Sequence, residues 1–425
     1  MLFWRSKINN KLYKIFANCG IYNKEFYTFK IKDIEEKEFG YSLKLYNVPG
    51  LSYDLIEDNL QSIQDSFPCL LEYSRNHLKG YCSLNIITKD FNKKPFDIVK
   101  IKNPFEVFAG YGVNGMPIII NLDKFPHILI AGITGSGKSR LLLSMVLNIL
   151  LNNNNAKLYL TQIGKFDFEC VRYANNVVDY ATTLEDANTM FNDLYLEAER
   201  REELFRKNKV INIAEYNKKF KDKQLSRIYN VCEEFSLYMP SDDDSDEERQ
   251  LKQTCYAKLL KLGKLGRSAG INLIGCLQRT TADNLNPTLK QLLVNKIVLN
   301  QGASKISSRN VLENDLAVGL PTGEAIYFNG NEYKRIIAPF IGDQEIWDLG
   351  KRCGYKKKTY KSRMNKEKSN PLKSNNKIKH KDVIFDNPFA KVDPNMVFID
   401  KTFLPPIGQM EKAHITPKKR KGRLD

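Results

Sequence analysis

The chain has 425 residues, 42% of them hydrophobic and 27% charged, which fits two or three globular domains and excludes a wholly disordered polymer. Its net charge of +17 is uneven: residues 351–425 hold 21 Lys/Arg against 7 Asp/Glu, while residues 1–350 are close to neutral. No run reaches the roughly 18 apolar residues of a membrane-spanning helix. Arg5 and Lys7 follow Met1–Trp4 at once, which is not a secretory pattern. The eight cysteines are scattered without ligand spacing, favouring reduced buried thiols over a zinc site. The expected setting is the cytosol, with any membrane contact made through a partner.

Residues 1–108 read as a small α+β domain. Tyr41–Tyr46 alternates like a half-buried strand, Val48-Pro-Gly50 marks a turn, and Tyr53–Phe67 has helical spacing. Tyr81–Ile87 and Phe96–Ile101 read as further strands. No chemistry is visible there, so a scaffold or ring-forming role is the expectation.

Residues 109–349 alternate strand and helix signals, which predicts an α/β domain with a mostly parallel sheet. The expected strands are Pro117–Asn121, His127–Ala131, Lys157–Gln162, Arg227–Cys232, Ile271–Leu277, Asn295–Leu299 and Glu324–Phe328. Arg140–Leu151 and Leu184–Phe205 read as helices. The acidic run Ser241–Glu248 reads as an exposed insertion; a metal-binding loop is the alternative, although it lacks a fixing glycine. Residues 350–425 form a basic, largely disordered tail, in which Val383–Phe385 and Val397–Ile399 are short candidate docking segments. Such a tail is drawn to nucleic acid, acidic protein or anionic lipid, or it is simply a solvated extension.

The most informative segment is Gly132-Ile-Thr-Gly-Ser-Gly-Lys-Ser139, which fulfils the phosphate-loop pattern G-x-x-x-x-G-K-[ST]. A strand leads into it and a helix leads out, so backbone N–H groups and the helix N-terminus converge where phosphate would lie. Gly132, Thr134, Gly135, Ser136, Gly137, Lys138, Ser139 and Arg140 form the expected nucleotide cradle. Lys138 reaches the β- and γ-phosphates and Ser139 holds Mg²⁺. The plain alternative is a glycine-rich turn with a chance Lys-Ser. ATP and Mg²⁺ are the expected cofactors.

Hydrolysis needs more than a cradle. The apolar strand Ile228–Cys232 ends in Glu233 and Glu234. Glu233 is expected in the Mg²⁺ shell and Glu234 as the group that orients the attacking water; a solvated acidic pair is the alternative. Gln278 ends another strand and suits sensing of the γ-phosphate. Arg267 precedes that strand on the far side of the fold, so its expected use is as an arginine finger for the next subunit's nucleotide; the alternative is an exposed helix-end Arg.

With these residues in place the sequence resembles the FtsK/SpoIIIE family of DNA translocases and, more loosely, the coupling ATPases of conjugation. The resemblance runs from about Gly110 to Phe340. It rests on Gly115-Met-Pro-Ile118, Pro126–Ser139, Glu199–Phe205, Asn212–Asn217, Glu233-Glu-Phe235, Gly266–Ile271, Leu277-Gln-Arg279 and Ser304–Arg309. It implies a RecA-like P-loop NTPase that assembles as a hexameric ring and moves double-stranded DNA through a central pore. It also implies that residues 1–108 are the smaller ring domain. Three departures stand out: Glu233 replaces the usual Asp, Gln162 stands in a region where the family tends to place an acid before Lys165, and neither membrane helices nor a winged-helix module is evident. They favour conjugative or mobile-element DNA transfer, with a relaxase or secretion channel as a possible partner, over chromosome partition. A weakly hydrolysing assembly platform that recruits partners through the basic tail is the second reading, and a packaging or helicase-like ATPase the third.

Overall fold

The computed structural model describes residues 3–89, 93–152, 155–278, 280 and 287–355. The first helix, α1 (Phe3–Asn18), buries Ile8, Leu12, Ile15 and Phe16, a stripe at helical spacing. That stripe belongs to the core of an antiparallel sheet made of β1 (Lys30–Lys37), β2 (Gly40–Tyr46), β3 (Leu70–Asn76) and β4 (Tyr81–Ile87), in the order β1-β2-β4-β3. Leu43 and Leu45 of β2 and Cys82, Leu84 and Ile86 of β4 alternate inward, as period-two side chains must. The helical stretch expected over 53–67 is two short helices, α2 (Asp54–Asp58) and α3 (Leu60–Ser66), separated at Asn59.

The strand expected at Phe96–Ile101 does not form. Pro95 makes a single bridge to Phe340, the Phe96 N–H donates to the Phe340 carbonyl at 2.8 Å, and the following residues run as irregular chain. Phe96 is anchored in the larger core, and that anchoring satisfies an apolar alternation that local pattern alone reads as a strand. Residues 106–112 are also part of the larger body, because β5 (Glu106–Gly112) pairs with β6 (Pro117–Asn121) in the second sheet.

That sheet continues with β7 (Ile128–Ala131), α4 (Lys138–Asn152), β8 (Lys157–Thr161), β9 (Val177–Ala181), α5 (Leu184–Asn208), α6 (Ile213–Lys219), β10 (Ile228–Cys232), α7 (Asp246–Ala269) and β11 (Ile271–Leu277). It is completed by α8 (Pro287–Leu292), β12 (Asn295–Leu299), α9 (Lys305–Leu312), β13 (Glu324–Phe328), β14 (Tyr333–Ile337) and α10 (Asp343–Arg352). The strand order is β6-β5-β14-β13-β12-β7-β11-β10-β8-β9. The six strands from β12 to β9 are parallel, and β13, β14, β5 and β6 extend them antiparallel. The parallel strands are buried almost throughout, because helices cover both faces. All C-terminal ends of the parallel strands therefore point to one edge, where an open α/β sheet binds its ligands.

Two further expectations change. The acidic run is largely exposed, and its second half is helical rather than loop: Ser245 caps α7 by accepting from the Glu248 N–H at 3.2 Å, and Asp246, Glu247 and Glu248 fill the first turn. Acids there complement the helix dipole, and Lys252 pairs with Asp244 and Glu248 at 2.5 and 2.8 Å. The docking segments at 383–385 and 397–399, and the tail beyond Tyr355, lie outside the described residues.

Candidate nucleotide site

The phosphate loop hangs between three strands. The Gly132 N–H donates to the Leu277 carbonyl at the end of β11 (3.3 Å), and the Ile133 N–H donates to the Asn300 carbonyl just past β12 (2.9 Å). Gly135 and Gly137 have φ of +78° and +105°, a region that side chains with a Cβ resist. A Cβ on Gly137 would also lie 3.4 Å from the Gly323 Cα, where the Gly323 N–H donates to the Ser136 carbonyl at 2.9 Å. The turn Pro321–Gly323 thus braces the loop from below, a contact between residues far apart in sequence.

Lys138 opens α4 and is buried; its ammonium donates to the Gly132 and Ile133 carbonyls at 2.6 and 2.9 Å. Burial pulls its pKa down, and the Glu234 and Glu233 carboxylates pull the other way. Ser139 and Arg140 follow on α4, half-buried, and Arg140 forms an ion pair with Asp343 at the start of α10. Thr134, on the exposed side of the loop, donates to the Gln278 side chain at 3.4 Å.

The two acids stand at the C-terminal end of β10, adjacent to this loop. Glu233 is 3% exposed; one of its oxygens accepts from the Lys165 ammonium at 2.5 Å. Burial pushes its carboxyl up, opposed by Lys165; at Lys165 desolvation, the largest single cause, is outweighed by the hydrogen bond to Glu233 together with the charges of Glu233, Glu234 and Asp167, so its pKa is raised. Glu234 accepts from the Ser236 hydroxyl at 2.8 Å and from the Gln278 N–H at 3.3 Å. So Glu234 and Gln278 are locked together across β10 and β11. Among the described residues, Ser136 Oγ, Glu233 Oε2 and Glu234 Oε2 are buried and have no hydrogen-bond partner. Unpaired buried oxygens are costly unless a ligand completes them. Three in one site, two of them carboxylate oxygens, fit a hydrated divalent cation and a phosphate chain.

Two cavities flank Arg140. One of about 550 Å³ is lined by Gly137, Arg140, Thr322, Gly323, Phe340 and Asp343, among others; its size suits a nucleoside. The other, of about 210 Å³, has Ser139, Phe166, Asp167 and Trp347 in its wall.

Arg267 is not part of this assembly. It is exposed in the last turn of α7, before the N-terminal end of β11. Seven residues of β11 separate that end from Gln278, about 23 Å of strand. Nothing in the chain's own geometry brings it to Lys138. Lys165 and the Pro321–Gly323 turn are the site residues that spacing did not single out. The Gly-Lys pair directly after β8 was a usable signal for Lys165.

Several known proteins are similar to this chain. The FtsK/SpoIIIE family model matches residues 87–282. The DNA translocase FtsK of Pseudomonas syringae pv. tomato is 27% identical over 267 residues, covering 58% of this chain and 33% of that protein. The Helicobacter pylori (strain J99) DNA translocase FtsK is 29% identical over 254 residues, with 58% and 29% covered. The chain therefore spans about a third of the length of the curated relatives it matches. Among solved structures, the pCW3 conjugation coupling protein TcpA, in its monomer form with ATPγS, superposes with a TM-score of 0.57 at 23% identity, over 81% of this chain and 98% of that one. EssC (ATPases 2 and 3) from Geobacillus thermodenitrificans gives a TM-score of 0.51 at 17% identity, over 61% and 50%. Both likenesses are of fold alone: a mostly parallel sheet covered by helices. Over residues 87–282, this chain is similar to the FtsK/SpoIIIE family.

Proposed function

We propose that this chain is the ATP-hydrolysing subunit of a double-stranded DNA translocase, active as a homo-oligomeric ring, with conjugative or mobile-element transfer as its setting. The observation that carries the proposal is the convergence of Ser136, Glu233 and Glu234, each with an unpaired buried oxygen, on one phosphate loop. The conjugative setting draws support from the likeness in fold to a conjugation coupling protein.

In this reading the nucleoside lies in the cavity beside Gly137 and Arg140, and the phosphates lie along the N–H groups of residues 132–139. Lys138 turns from the loop carbonyls to the β- and γ-phosphates. Ser139 and Glu233 would hold Mg²⁺, which when bound would supply charge neutralisation to the phosphates. Glu234 accepts a proton from the attacking water and aims it at the γ-phosphorus, while the bond to the β–γ bridging oxygen breaks. Its bond from the Gln278 N–H fixes that aim, and the Gln278 side chain, beside Thr134, reports whether the γ-phosphate is present. Arg267 serves the neighbouring subunit's nucleotide, since its own lies at the other end of β11.

The test is ATP turnover with and without duplex DNA, in the wild type and in Glu234→Gln. Duplex should accelerate the wild type; Glu234→Gln should lower turnover by on the order of 10²–10³ while still binding ATPγS. A wild type indifferent to duplex would remove the translocase reading, whatever its basal rate.

A further inference from the structure

Lys165 has no place in the reaction described above, yet it makes the shortest contact to the metal-shell acid. Its ammonium lies 2.5 Å from Glu233 Oε1, and the two side chains are unequally buried: 4% of Glu233 is exposed against 36% of Lys165. The carboxylate is thus fixed in the interior and the lysine reaches it from solvent on a flexible four-carbon arm.

The backbone that launches this arm is held independently of the ion pair. Gln162 accepts from the Phe168 N–H at 2.9 Å and from the Tyr180 hydroxyl at 2.8 Å, and its own N–H donates to the Ala181 carbonyl at 2.9 Å. Gly164, at φ +72°, turns the chain between those anchors. Lys165 can therefore leave Glu233 by rotating its side chain, with the loop frame intact. The next residues, Phe166 and Asp167, line the small cavity together with Ser139 and Trp347.

Resting on the reading of Glu233 as a metal-shell residue, we propose that Lys165 is a positioning residue that competes with the divalent cation for the Glu233 carboxylate. A bound cation and the ammonium are like charges drawn to one acid, so each weakens the other's hold. Lys165 thereby keeps the metal exchangeable, and its ammonium swings away from Glu233, on a fixed loop, when metal is bound.

The experiment is a Mg²⁺ titration of the full chain with saturating ATPγS, carrying Trp4→Phe throughout so that Trp347 gives the fluorescence, read by that fluorescence and by ATPγS affinity rather than by turnover. Wild type, Lys165→Met, Lys165→Arg, Glu233→Gln and the double variant Lys165→Met/Glu233→Gln are compared. Lys165→Met should lower the half-saturating Mg²⁺ concentration by on the order of tenfold, and Lys165→Arg should restore the wild-type value. In the Glu233→Gln background the Lys165→Met effect should vanish, since the contested carboxylate is gone. A Lys165→Met half-saturation equal to or above that of the wild type overturns the proposal, as does a tenfold shift that persists without Glu233. Failure of the wild type to bind ATPγS at all would instead remove the nucleotide reading on which the proposal rests.

Discussion

The two ends of the parallel strands are made of similar residues and treat them in opposite ways. At the C-terminal end, Ser136, Glu233 and Glu234 keep buried oxygens without partners. At the N-terminal end, the buried polar groups around His127, Arg227, Asn272 and Asn295 close on one another. His127 accepts from the Leu273 N–H at 2.9 Å with one ring nitrogen, and its other nitrogen meets the Gly263 carbonyl at 2.9 Å. Arg227 pairs with Asp123 and donates to Asn272 at 3.1 Å; Asn272 donates to the Pro126 carbonyl at 2.6 Å, and Asn295 to that of Phe125 at 2.7 Å. A satisfied network specifies structure, while an unsatisfied one holds binding capacity in reserve. The difference separates residues that bind from residues that build, although several of both lie in the segments that carry the family resemblance.

Changes at the two ends should therefore separate function from stability. The largest effect is expected at Lys138→Ala, with ATP turnover falling by on the order of 10²–10³ and the melting temperature unchanged or slightly raised, since a desolvated ammonium is removed. A large drop in melting temperature would blur the comparison. At the other end, burial holds the His127 pKa down at about 4, below its ordinary 6.5. The folded state thus needs the neutral ring. Its contribution is complete above pH 6.5 and is lost as pH falls towards 4, by about 3 kcal/mol in total. Denaturant unfolding at pH 7 and 4.5 should show that loss in the wild type and much less of it in His127→Gln.

Gly266→Ala comes next. A Cβ there would stand 2.2 Å from the Ile271 carbonyl oxygen and 3.0 Å from the His127 ring. It should cost about 2–3 kcal/mol of stability and leave ATPγS affinity per folded molecule unchanged, as read by binding after urea titration. The smallest effect is expected at Ser245→Ala, about 1 kcal/mol from a lost helix cap. It lies towards the nucleotide end of the sheet, so altered nucleotide affinity there would show that position alone, and not unpaired oxygens, marks the functional end.

Much of the site was legible because its chemistry is local. Gly132–Ser139 make one tight glycine-rich turn between a strand and a helix within eight residues, and Glu233 and Glu234 follow one apolar strand. Helix and strand periods likewise placed β7, β10, β11, α4 and α5 to within a few residues. The misreadings have a common origin. Phe96–Ile101 has the alternation of a strand, but Phe96 is buried by the larger core and the segment meets its neighbour at Phe340 through one bridge. The acids at 246–248 look like a solvated loop until Ser245 caps them into α7. The Gly266–Ile271 segment draws the eye to Arg267, whereas its Gly266 permits the close approach of α7 to β11 and His127.

What the sequence determined by itself is the glycine-rich loop of the candidate site and the two strand-end acids, because each depends on neighbours a few residues away. Only the tertiary structure decided what faces them. Lys165 on Glu233, the Gln278 N–H on Glu234, and Gly323 beneath Gly137 join residues 44 to 186 positions apart. Parallel strands bring their ends together irrespective of chain order, so such meetings leave no period or spacing to read.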